Sequence, residues 1–155
     1  MRFHWGKLLL PGLALLAASP GAAQQTWEIG VQSIAAFSSP AAFVACGYGA
    51  WRGSERTRFS AGGGVGIADE KFAWRAEALA HFLFSPNEAR RPGFYLAGGI
   101  AAAGGAATRG YLVATLGLEQ RPRARTGWAL EAGVGGGIRL AAGYRWRFPS
   151  GPGIK

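Results

Sequence analysis

The sequence predicts an all-β fold, an eight-stranded antiparallel up-and-down transmembrane β-barrel, and three observations carry that prediction. From Ile138 to Phe148 every even position is apolar or aromatic, while Arg139, Arg145 and Arg147 occupy odd positions. Side chains alternate across a strand, so this parity gives one oily and one charged face, which a helix would scatter. Turn-forming residues cut the chain beyond residue 25 into eight segments of strand length, and in six of them one parity is free of charge.

The segments run 26–38, 41–53, 57–68, 71–84, 93–104, 109–121, 126–135 and 137–148. Between them lie Ser38-Ser39-Pro40, Gly53-Ser54-Glu55, Asp69-Glu70-Lys71, Ser85 to Gly93, Gly105 to Gly110, Arg121 to Gly127 and Gly135-Gly136-Gly137, all with turn chemistry. A tilted strand needs about 9 to 11 residues to cross a bilayer, and each segment is long enough.

In the first segment Trp27, Ile29, Val31, Ala35 and Phe37 oppose Glu28 and Gln32. The second and fifth are too rich in Gly and Ala to fix a phase. In the third, Phe59, Ala61, Val65 and Ile67 share a parity. The fourth has Phe72, Trp74, Ala76, Ala78, Ala80, Phe82 and Phe84 on one side; Phe72, Ala76, Leu79, Ala80 and Leu83 would also line a helix. A strand is favoured because it gathers Arg75, Glu77 and His81 on one side. Leu112, Ala114, Leu116 and Leu118 oppose Thr115 and Glu119 in the sixth, and Trp128, Leu130, Ala132 and Val134 oppose Glu131 in the seventh. Aromatics gather at segment ends, as in membrane barrels with interfacial girdles.

Compartment is read from the N-terminus. Arg2 and Lys7, the apolar run Leu8 to Ala18 and the small residues Gly21-Ala22-Ala23 make a signal-peptide pattern, so residues 1–23 are expected to be cleaved. Residues 24–155 then form one barrel domain with a short tail, 149–155. The run is shorter than a membrane-crossing helix and is interrupted by Pro11-Gly12. The single cysteine, Cys46, has no internal disulfide partner. The chain holds 17 basic and 8 acidic residues, a balance that raises nucleic acid as a partner. The arginines neither cluster on a helix nor interleave with a stacking platform, and the chain is exported, so no nucleic-acid partner is expected.

On this architecture and its closing strand, the chain resembles the small eight-stranded outer-membrane barrels of Gram-negative bacteria, such as the transmembrane domain of outer membrane protein A. Tyr144, Trp146 and Phe148 look like the aromatic terminal signal read by the family's barrel assembly machinery, although Pro149 to Lys155 follow where family members usually stop. The resemblance implies a bacterial outer-membrane location among outer-membrane lipids, with the N-terminus in the periplasm.

An eight-stranded barrel leaves a lumen narrow enough for side chains to fill. The inward parity then holds Arg75, Arg139, Arg145 and Arg147 against Glu28, Glu77, Glu119 and Glu131, a balanced ion-pair plug with His81 beside it. Glu131 sits one diagonal step from Arg139 across a hairpin at Gly136, and closure brings Glu28 toward Arg145 and Arg147. The excess positive charge falls in the connections after strands two, four and six, at Arg52, Arg56, Arg58, Arg90, Arg91, Arg121, Arg123 and Arg125. Such a basic rim either attracts anionic head groups or is simply a solvated turn face.

Catalysis is not expected. Glu77, His81 and Ser85 share a parity, but strand residues four apart are about 13 Å apart, beyond triad reach. No cluster has metal-ligand spacing, and no cofactor is implied. Gly62-Gly63-Gly64 lacks the lysine and helix of a phosphate loop. The expected role is structural or envelope-maintaining, without an open pore. Two other classes stand beside it: a soluble exported barrel with its apolar parity inward around a hydrophobic ligand, and a lipid-modifying outer-membrane enzyme. Dilution of the charged parity with Gly and Ala, and aromatics at strand ends, favour the membrane barrel.

Overall fold

The computed structural model describes residues 26–105 and 107–149. Eight strands, β1 (Thr26–Phe37), β2 (Ala42–Arg52), β3 (Thr57–Ala68), β4 (Lys71–Leu83), β5 (Gly93–Gly104), β6 (Arg109–Glu119), β7 (Thr126–Val134) and β8 (Ile138–Pro149), close into one antiparallel barrel in sequence order. The helical alternative for the fourth segment is thereby excluded. Closure is made by β8 against β1, from Thr26↔Pro149 to Phe37↔Ile138. The end holding Thr26 and Pro149, with the β2–β3, β4–β5 and β6–β7 connections, is here the base. The opposite end is the mouth. The predicted signal peptide and residues 150–155 of the tail lie outside the described residues.

The oily parity faces out on every strand. Trp27, Ile29, Val31 and Phe37 of β1, Val65 and Ile67 of β3, Leu116 of β6, Leu130 of β7 and Leu140 of β8 are all exposed, and Leu112 reaches 82%. The structure settles the phase of the two strands that composition left open. Phe43 and Trp51 of β2 lie on the outer parity, with Val44, Cys46, Tyr48 and Arg52 on the inner one; Phe94, Leu96 and Ile100 of β5 face out, with Tyr95, Ala97 and Ala101 in. An apolar-inward carrier barrel is the inverse of this arrangement.

Glycine lets the narrow wall close. At Gly64 a Cβ would stand 1.9 Å from the Ala45 carbonyl oxygen, so only hydrogen fits where β3 crosses β2. Two inward tyrosines use the same device. Tyr48 lies over Gly30 and Tyr95 over Gly117, each directly opposite on the neighbouring strand, where any Cβ would strike the ring.

The ends differ. At the base the β6–β7 connection folds into the barrel opening, with Pro122 fully buried. Arg145 holds it there, donating to the carbonyls of Arg121 and Ala124 at 3.3 Å and of Pro122 at 3.4 Å. Arg123 N–H donates to Glu88 O at 3.3 Å, joining it to the β4–β5 connection. The mouth is an open cup of about 390 Å³, with Ile34, Ala36, Ala73, Arg75 and Tyr111 in its lining.

Candidate functional site: the charged lumen

Closure turns residues far apart in sequence into neighbours across a lumen only a few side chains wide. Two ion networks result. Toward the mouth, Arg139 of β8 donates from Nε and Nη2 to the two oxygens of Glu77 on β4, at 3.1 and 2.9 Å, and from Nη1 to Glu131 at 2.5 Å. Arg75 donates to Glu77 at 2.6 Å and to the Gly135 carbonyl at 3.0 Å, and the Tyr95 hydroxyl donates to Glu131 at 2.8 Å. This network contains two arginines and two glutamates.

The second network lies toward the base around Glu28 and Glu119, both essentially without solvent exposure. Arg52 Nε and Arg147 Nε each stand 2.8 Å from Glu28 Oε1, and Arg58 Nη1 bridges Glu28 at 3.4 Å and Glu119 at 3.1 Å. Arg145 pairs with Glu119 and lies 3.8 Å from Glu28, while Arg52 Nη2 stands 3.4 Å from Glu119.

Two expectations are corrected here. Arg52 and Arg58 do not belong to the rim: both are buried in the lumen, because their parities on β2 and β3 point inward. Consequently the lumen charges do not balance. Six arginines face four glutamates, and the excess lies wholly in the base network. Arg58 was readable in principle, since the outward set Phe59, Ala61, Val65 and Ile67 fixes its phase; Arg52 was not, because β2 gave no phase. Of the rim residues, Arg56, Arg90, Arg91, Arg121, Arg123 and Arg125 are exposed at the base. Nearby Glu88 accepts the backbone N–H groups of Arg90 and Arg91 at 3.1 and 3.3 Å, which hold its carboxyl below the usual carboxylate range.

His81 lies between the networks. Arg58 Nη2 stands 3.2 Å from its Nδ1, and because guanidinium can only donate, Nδ1 accepts. Nε2 therefore carries the hydrogen and donates to Ser60 Oγ at 2.8 Å. That tautomer cannot take a proton from Ser60. Glu77 is committed to Arg75 and Arg139, and Ser85 is an exposed residue of the β4–β5 connection, so Glu77, His81 and Ser85 are not assembled into a catalytic set. Sequence reasoning missed Tyr48, Tyr95 and Ser60 as lumen residues. Among the described residues no His, Cys, Asp and Glu group has the geometry to hold a metal ion.

On the outer face, Tyr144, Trp146 and Phe148 are exposed along β8, and the Tyr144 and Trp146 rings meet edge to face with centroids 5.0 Å apart. Trp27, Trp51, Phe59 and Phe148 are register partners in a row around the base. Phe37, Phe43 and Phe72 lie nearer the mouth.

No protein-family model matches the chain, and no curated protein matches it in sequence. Solved structures do match in fold. The N-terminal β-barrel domain of Pseudomonas aeruginosa OprF superposes with a TM-score of 0.67 at 14% identity, covering 79% of this chain and 97% of that one. Neisserial surface protein A superposes with a TM-score of 0.60 at 13% identity, covering 81% of this chain and 98% of that one. Both are small outer-membrane β-barrels, and the chain shares their closed eight-stranded architecture.

Proposed function

We propose that the protein is a bacterial outer-membrane barrel with a structural or envelope-maintaining role and no open pore. One observation carries the reading: the apolar parity covers the outside on all eight strands, while ten charged side chains bridge the lumen inside. Monomers in water rarely expose an apolar surface of this extent, whereas hydrocarbon both tolerates it and requires a sheet without edges. The filled lumen and the inward-folded β6–β7 connection favour a barrier over a conduit.

Its partners on this reading are outer-membrane lipids and the barrel assembly machinery, which would read Tyr144, Trp146 and Phe148. Six exposed arginines at the base, against Glu55 and Glu88, favour contact with anionic head groups. Three experiments test the proposal. Cell fractionation should place the folded chain in the outer membrane, with different gel migration before and after boiling; recovery as a detergent-free soluble protein would overturn it. Reconstituted in a planar bilayer, the barrel should carry no stable conductance above background, and a reproducible single-channel step would sink the barrier assignment. Vesicles containing phosphatidylglycerol should accelerate insertion relative to neutral vesicles, and an R121Q/R123Q/R125Q variant should lose that preference.

A further inference from the structure

The base network is over-supplied with positive charge, and the geometry points to a built site there for a small inorganic anion of the halide class. Arg52, Arg58, Arg145 and Arg147 surround only Glu28 and Glu119, leaving two charges uncompensated among the described residues. Arginine does not shed its proton in a protein. Burying an unpaired charge costs several kcal/mol per ion, so the excess needs a counter-charge.

Among the described residues the neighbouring groups cannot supply it. Glu77 and Glu131 are matched by Arg75 and Arg139, while Glu55 and Glu88 lie in connections outside the lumen. Among the described residues three donors of the cluster, Arg58 Nε, Arg145 Nε and Arg147 Nη2, are buried with no acceptor within hydrogen-bond distance, Glu119 Oε1 standing 3.7 Å from Arg147 Nη2. These side chains are at least nine-tenths buried, and unfulfilled guanidinium donors of this kind are what an anion would satisfy.

Size selects the ligand. Of the four arginines Arg58 alone lines a lumen cavity of about 30 Å³, whose wall also holds the polar Gln32, Tyr48, Ser60 and His81 and the apolar Leu79 and Ala141. Glu77 and Glu131 also reach its wall, but as halves of the balanced network. A water needs about 10 to 15 Å³ of such space, so a halide fits and a lipid head group does not. With Pro122 buried in the base opening, larger polyanions are kept out.

The test uses the mature chain folded in neutral detergent. At constant ionic strength, replacing sodium gluconate by sodium chloride should raise the thermal midpoint along a saturating one-site curve. R147Q, which removes one excess charge at the least buried of the four arginines, should weaken the apparent chloride affinity by about tenfold or more, because the lost attraction acts in a poorly screened interior. R121Q, on the exposed connection, should leave it unchanged. Bromide in crystals should give an anomalous peak within hydrogen-bond distance of Arg58, Arg145 or Arg147. Equal midpoints in chloride and gluconate, or bromide found only on exposed arginines, would overturn the site. Should R147Q fail to fold, the wild-type salt exchange and the bromide map decide the matter by themselves.

Discussion

Arg139 on β8 grips Glu77 on β4 with two nitrogens on two carboxylate oxygens, at 3.1 and 2.9 Å, across the full width of the lumen. A third nitrogen holds Glu131 on the adjacent strand at 2.5 Å. Opposite walls of the barrel are thus tied through one side chain, which is itself fully buried.

Removing one member of such a network strands a buried charge. We expect R139M and E131A each to cost about 3 to 5 kcal/mol in urea unfolding from lipid vesicles, E131A also depriving the Tyr95 hydroxyl of its acceptor. The double variant R139M/E131A removes opposite charges together and leaves Arg75 paired with Glu77. Its cost should fall well below the sum of the two single changes. Strict additivity would show that these side chains do not act as a unit.

The legibility of this site in the sequence depended on phase. Where large apolar residues marked the outer parity, as in β1, β4 and β8, the inward positions of Glu28, Arg75, Glu77, Arg139, Arg145 and Arg147 follow by alternation alone. In β2 the contrast between faces is muted by Ala45, Gly47, Gly49 and Ala50, and Arg52 sits at the strand end beside a turn, where a rim position is the simpler reading. Charge counting then failed at two residues, Arg52 for want of a phase and Arg58 because it too sits beside the turn, although β3 fixes its inward parity. The tie from Arg75 to the Gly135 carbonyl was unreadable for another reason: backbone acceptors carry no sequence signature.

Outward placement of the oily parity has a depth-dependent consequence. Val31 lies midway along β1, level with Tyr144 of β8, whereas Phe37 is the last residue of the strand at the mouth. Arginine at the bilayer midplane of a barrel costs about 2 to 4 kcal/mol and near an interface about 0 to 1. V31R should therefore be several-fold more destabilising than F37R in vesicles. If both changes cost the same, lipid is not the solvent of this face.

The glycines that admit close strand approach should be separable from those that do not. A Cβ on Gly64 would collide with the Ala45 carbonyl, while one on Gly49 meets nothing within 4 Å. G64A forces β2 and β3 apart and should cost about 1 to 3 kcal/mol, the range for overpacking a filled interior. G49A should be close to neutral. The urea midpoints of the two variants measure the difference, and equal midpoints would remove wall curvature as the reason for glycine in β3.

The barrel has one short seam. β1 and β8 are register partners over the whole length of β1, from Thr26↔Pro149 to Phe37↔Ile138, but β6 and β7 pair only from Ala114↔Val134 to Glu119↔Ala129. The mouthward half of β6, Arg109 to Val113, therefore has β5 as its sole strand partner, with the Arg75 tie to Gly135 standing where the ladder stops. Local opening follows the number of hydrogen bonds that must break together. Amides of Arg109–Val113 that turn toward β7 should exchange at least roughly tenfold faster than those of β1 facing β8, as read by hydrogen exchange on peptides from the folded barrel. R75M should quicken the exchange at this seam further while leaving the β1–β8 seam unchanged, since it removes the side chain that bonds the Gly135 carbonyl from across the lumen. Uniform exchange around the barrel would mean that the missing rungs carry no energetic weight.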